Sequence, residues 1–135
     1  VENKGFQRLQ VWHEARAMSL AIYRLTKQFP RDETYNLVAQ MRRASTSVMS
    51  NIAEGHGRHS RRDFAKFLFI ARGSLMEVHS CLFLVSDLGY CTTEDVTKLE
   101  HSIEILGRML NKLISTLVNP YEVREDAYEL DDSFY

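Results

Sequence analysis

Seven cations fall within residues 40–72: Arg42, Arg43, Arg58, Arg61, Arg62, Lys66 and Arg72, against two acids, Glu54 and Asp63. Three of them crowd the stretch SNIAEGHGRHSRRDF, residues 50–64, together with two glycines and two histidines. Guanidinium forks suit phosphates and carboxylates. Ser60 followed three residues later by Asp63 reads as a capping box with a shorter acid, so Arg58, Arg61 and Arg62 sit at or just before a helix start. The helix dipole is already positive there, and each cation on the first turn costs about 0.3–1 kcal/mol. Stability alone favours acids at such a place. Three occupants fit the charge: nucleic-acid phosphates, bound with steep salt dependence; an acidic segment of the same or a neighbouring chain; or the chain's own acids, with Arg42, Arg43 and Arg72 bridging to Glu54, Glu77 or Asp87 and the remaining cations solvated.

Other chemistries find no residues to carry them. A di-iron bundle needs Glu-x-x-His pairs, whereas Glu77 with His79 and Glu100 with His101 have the wrong spacing. His56 and His59 sit three apart without further ligands, and a solvated turn describes them better than a metal site. Gly55–His56–Gly57 is too short for a phosphate-cradling loop, and no GxSxG or Walker pattern occurs. No nucleophile comes with an orienting base. The reading is a non-enzymatic protein without metal or cofactor.

The elements that hold these residues are helical. Leu9, Trp12, Ala15, Met18, Ile22, Leu25 and Phe29 recur at spacings of three and four, and Pro30 ends that helix. A second helix, capped by Asp32 or Thr34, runs through Leu37, Met41, Ala44, Val48 and Ile52, with Gly55 as its left-handed terminator. A third runs through Phe64, Leu68, Ala71, Leu75, Val78, Leu82 and Val85 and closes at Gly89. The fourth, capped by Thr92 or Thr93, holds Val96, Leu99, Ile103, Leu106, Leu110, Leu113 and Leu117, and Asn119–Pro120 stops it. Four helices joined by short turns predict an all-α, antiparallel up-down-up-down four-helix bundle over residues 1–120. Small residues such as Ala44, Ser45, Ser47 and Ala53, facing Ala71 and Ser74, predict close approach of the second and third helices.

The third helix is apolar around most of its circumference, and an all-round apolar helix is buried all round. Phe67, Phe69, Ile70, Phe83 and Leu84 therefore predict contact with a second copy and a homo-oligomer.

The 135 residues, 44% apolar and 26% charged, fit one globular domain. The net charge of −1 conceals an asymmetry. Residues 121–135 hold six acids against Arg124 alone, a net −5, so residues 1–120 carry 16 bases and 12 acids, a net +4. An acidic, mobile C-terminal tail on a basic body is the expectation, and such asymmetry concerns partners. Cys81 and Cys91 have no metal or redox spacing and read as reduced thiols. No signal segment or uninterrupted apolar run of membrane-spanning length is evident, so the expected location is the cytoplasm.

LQVWHEAR (residues 9–16), QMRRAS (40–45), SNIAEGHGR (50–58), FAKFLFIARGSLMEV (64–78) and LGY (88–90) together resemble the bacterial four helix bundle protein family. Its members include proteins encoded in intervening sequences of 23S rRNA genes. The resemblance covers residues 9–117 and implies an antiparallel subunit assembled into a homopentameric barrel. It also implies kinship with the accessory variability determinant of diversity-generating retroelements, a similar pentamer that works with a reverse transcriptase and its RNA. Members often carry Pro where this chain has Met49, and an aromatic where it has His56. On this basis the expected function is RNA or nucleic-acid binding through the basic patch between the second and third helices. The alternative is a protein-interaction scaffold, or an accessory subunit of a reverse transcriptase complex, whose patch receives an acidic partner segment.

Overall fold

The structure, a computed structural model, describes residues 5–118 and 130–135. A short 3-10 turn, Gly5–Arg8, leads into α1 (Gln10–Thr26). A 3-10 turn at Arg31–Glu33 and a π turn at Thr34–Val38 precede α2 (Ala39–His56), and then come α3 (Arg61–Asp87) and α4 (Thr93–Leu117). A last 3-10 turn covers Asp132–Phe134. The architecture is an all-α four-helix bundle.

The apolar stripes meet in one core. Ile22, Met41, Val48, Ile52, Leu68, Leu75, Leu106 and Leu110 are fully buried, each contributing about 1.5–3 kcal/mol by leaving water. Contacts between α2 and α3, and between α3 and α4, run in opposite orders along the two helices of each pair. Gly55 meets Phe64 and Phe67, Ser47 Oγ lies 2.9 Å from Ser74 Oγ, and Gln40 Nε2 donates to Glu77 at 3.3 Å. Between α3 and α4, Arg61 reaches the Thr116 carbonyl at 3.1 Å, Arg72 reaches Asn111 at 3.1 Å, and His79 Nε2 lies 3.6 Å from Glu100.

Helix ends follow the sequence in part. Ser60 Oγ accepts from the Asp63 N–H and Thr92 Oγ1 from the Asp95 N–H, both at 3.1 Å. At the end of α3, Gly89 has φ +74°. There the Tyr90 N–H bonds to the Val85 carbonyl and the Gly89 N–H to that of Ser86, which is the Schellman arrangement. Two expectations need correction. Neither Asp32 nor Thr34 caps α2 with its side chain; the chain enters that helix through the π turn. Gly55 is not a left-handed terminator, because α2 continues through it to His56, and Gly57 at the C-cap has φ −77°. Gly55 serves packing instead: a Cβ there would lie 2.8 Å from the Cβ of Phe67. Helix α2 is unbroken through Met49, and the expected stop at Asn119–Pro120 lies outside the described residues.

Helix α3 keeps an apolar outer face. Phe69, Ile70, Met76, Phe83 and Leu84 are each 44–54% exposed. By length and a mean hydropathy of 1.5 this helix could cross a membrane, but Phe64, Leu68, Leu75, Val78 and Leu82 commit its other face to the core. Phe67 differs from its expected partners. It is half-buried against Gly55, with the Arg58 guanidinium 4.7 Å from its ring centroid, and so belongs to the α2–α3 contact within the subunit.

Candidate functional site

The seven cations do not form one patch. Arg42 and Arg43 stand near the start of α2, fifteen or more residues from Arg58, and a rise of 1.5 Å per residue separates them by about 20 Å. Arg42 is engaged inside the fold. Its Nε donates to Thr26 Oγ1 at 2.9 Å and its Nη2 to the Tyr23 carbonyl at 3.3 Å, while the guanidinium lies 4.6 Å from the Tyr23 ring centroid. Thr26 is buried, so Arg42 ties α2 to α1. Arg72 turns to α4 through Asn111 and stacks over Phe69 at 4.9 Å. Arg43 is exposed beside Ser47, Ser74 and Glu77 in an open cavity of about 200 Å³. Among the described residues, neither Arg42 nor Arg72 forms the ion pair with Glu54, Glu77 or Asp87 that one reading of the sequence allowed.

What remains together is the end of the bundle where α2 stops and α3 starts. Arg58, Arg62 and Lys66 are exposed there. Arg58 rests on the Phe67 ring, and none of the three has a carboxylate within ion-pair distance among the described residues. Arg61 lies half-buried, its Nη1 on the Thr116 carbonyl at the end of α4. A guanidinium there satisfies a carbonyl that the helix end leaves without an intrahelical partner.

Four residues that the sequence reading did not select complete this end. Arg8, His56, Lys112 and Tyr135 come from four separate segments. Tyr135 Oη lies 3.4 Å from His56 Nε2, and the Arg8 guanidinium lies 4.3 Å from the Tyr135 ring centroid. Lys112 Nζ stands 5.5 Å from the centroid of Phe134. Phe134 and Ser133 line a small cavity of about 80 Å³ with Gln10, Val11, Met109 and Lys112, between α1 and α4. Leu130, Phe134 and Tyr135 pack against the bundle core. The mobile tail expected for residues 121–135 is thus not free at its last six residues; the part before residue 130 lies outside the described residues. Burial and the nearby Arg8 charge push the His56 imidazole below its ordinary pKa. Hydrogen bonds from Ser133, with help from Lys112, hold the Asp131 carboxyl below its usual range. The only advance signal for this contact was the aromatic pair Phe134–Tyr135 closing an otherwise acidic stretch.

Among the described residues no three His, Cys, Asp or Glu side chains gather to hold a metal ion. Burial raises the thiol pKa of Cys81, aided by Glu77, and that of Cys91, aided by Asp95, which leaves both as unreactive thiols.

The fold defines a small four-helix-bundle protein. The chain belongs to the 23S rRNA-intervening sequence protein family, whose model matches residues 7–112. Among solved structures it is similar to a protein of unknown function from the S23 ribosomal protein family of Bacteroides thetaiotaomicron. The two share 23% identity with a TM-score of 0.70, over 77% of this chain and 97% of that one. Identity at that level shows the fold alone. No curated protein sequence matches the chain.

Proposed function

We propose that the protein is a cytoplasmic homo-oligomer that binds RNA, chiefly by its backbone phosphates, through the α2–α3 junction. The observation that carries this reading is the set Arg58, Arg62 and Lys66: exposed, without carboxylate partners among the described residues, with Arg58 and Arg62 standing where the helix dipole already disfavours cations. Membership in a family described by 23S rRNA intervening sequences is consistent with an RNA ligand. Nothing in an all-α bundle offers a base-reading sheet, so recognition rests on phosphates and RNA shape.

Assembly belongs to the same reading. Phe69, Gly73, Met76, Ser80 and Phe83 alternate by four and three along the outer face of α3, the spacing of a helix–helix seam. A seam between up-down-up-down subunits, in the homopentamer that the family resemblance implies, places the cationic end of each copy beside the next. The patch is then repeated around one rim and gains avidity. A second reading, a scaffold or accessory subunit that receives an acidic protein segment, draws on the acidic residues 130–135 already lying beside Arg8 and Lys112.

Titration of a structured RNA against salt tests the function. The triple variant R58E/R62E/K66E is expected to lower the slope of log affinity against log salt by about 2–3, three contacts at about 0.7–0.9 each. Arg61 is left in place because it holds the Thr116 carbonyl. An unchanged slope, or no binding by the unaltered chain at 50 mM salt (about the low end where phosphate contacts dominate), removes the RNA reading.

A further inference from the structure

The contact made by residues 130–135 is chemically odd for a structural anchor. Leu130, Phe134 and Tyr135 are only half-buried against the bundle, and beside them two cations lie against aromatic rings: Arg8 on Tyr135 and Lys112 near Phe134. Such contacts are worth about 0.5–1 kcal/mol each where water has access. The Tyr135–His56 hydrogen bond is long, at 3.4 Å. A contact this weak, made on a helical end rich in cations, can be displaced by a stronger anion.

The geometry points to residues 130–135 as an acidic latch that lies against the exposed Arg8 and Lys112 and is displaced when a polyanion binds the end of the bundle. This rests on the anion-binding reading above and extends it to the regulation of the same site. Lys112 stands one helical turn before Thr116, whose carbonyl Arg61 holds, and His56 is two residues from Arg58. The cations under the latch are therefore continuous with those of the junction. While the latch is seated, Asp131 and Asp132 add negative charge beside them, and the rings of Phe134 and Tyr135 occupy the faces of the cations that phosphates would use. Once it leaves, Arg8 and Lys112 lose the two carboxylates and the two rings beside them and meet phosphates without competition. The polyanion class follows from the placement: Arg8 precedes α1, Lys112 lies on α4 and Arg62 opens α3, so several phosphates in a chain suit the set better than one small anion.

The test compares the full chain with its F134A/Y135A variant, using two probes, inorganic polyphosphate and a structured RNA. Two additional phosphate contacts make the variant's salt slope steeper by about 1.5–2, so its affinity falls about tenfold more than that of the parent between 50 and 200 mM salt. At 50 mM it also binds more tightly, and the added peptide LDDSFY reverses the gain. Equal polyphosphate affinity and slope in the two chains overturn the latch, whatever RNA does. A difference with polyphosphate but no RNA binding by either chain keeps the latch and removes the RNA reading. Should the variant fail to fold, the unaltered chain decides by NMR: saturating polyphosphate must shift the Tyr135 ring and His56 imidazole resonances toward solvent-exposed values. Resonances that stay in place at saturation overturn the proposal.

Discussion

Gly55 and Phe67 stand so close that a methyl group on the glycine would lie 2.8 Å from the phenylalanine Cβ, with the Phe64 carbonyl only 3.3 Å away. This is where α2 and α3 approach most closely at the junction end. In a helix interior Gly→Ala ordinarily gains about 1 kcal/mol; here G55A is expected to cost about 1–3 kcal/mol, because neither backbone can retreat without unpacking Phe64. Urea unfolding of G55A checks the sign. The companion variant G73A has open space around its new methyl within the subunit, so it is expected to stabilise an isolated subunit by up to about 1 kcal/mol. Stabilisation by G55A would refute the close-packing account.

Arg42 illustrates a cation whose role is structural. Its side chain supplies hydrogen bonds to the buried Thr26 hydroxyl and to the Tyr23 carbonyl while stacking on the Tyr23 ring. Lysine keeps the charge but loses the fork and the planar stack. R42K is therefore expected to lower stability by about 1–2 kcal/mol and to leave the salt slope of RNA binding unchanged. Junction variants should do the reverse. A reduced slope with unchanged unfolding midpoint would return Arg42 to the binding set.

Much of the bundle was legible because each helix carries its own periodic signal: the Leu99–Leu117 stripe, the Ser60 and Thr92 caps, and the Gly89 stop depend only on neighbours along the chain. What escaped depends on distant residues. Gly55 looks like a terminator in sequence, and only the facing Phe67 reveals it as a packing glycine. Arg42 and Arg58 count equally toward a charge total, yet one is occupied by Thr26 and the other rests on a ring. Arg8, His56, Lys112 and Tyr135 share no spacing at all. Their meeting is a product of the bundle's closure.

His56 predicts a pH dependence. Its folded pKa lies below the ordinary value because burial and Arg8 disfavour the imidazolium. Between the lowered folded pKa and about 6.5 the unfolded chain binds more protons than the folded one, so stability rises with pH across that window. The contribution is complete above about pH 6.5 and is lost as pH falls toward the folded pKa. H56Q removes this component. Urea midpoints measured at several pH values down from neutrality are expected to fall less steeply in H56Q than in the unaltered chain. Parallel slopes would mean that another group carries the dependence.

The exposed face of α3 gives the last prediction. Phe69 and Phe83 are 44% and 54% exposed, fourteen residues apart on one stripe, so each leaves a ring face in water unless another copy covers it. Contiguous apolar surface of this kind marks an interaction site rather than ordinary exposure. The double variant F69E/F83E places two like charges on that stripe. A symmetric or repeating seam must then bring the charges of adjacent copies together and desolvate them, which costs more than the lost ring contacts. Neither ring belongs to the subunit core, so the variant is expected to keep its helical circular dichroism. Light scattering should give a single 15.7 kDa chain for the variant and a multiple of that mass for the unaltered protein. RNA affinity should drop with assembly, by about a hundredfold or more, as linked sites become single ones. An unaltered protein that scatters as one chain sinks the assembly claim. An oligomer that survives both substitutions moves the interface to another face.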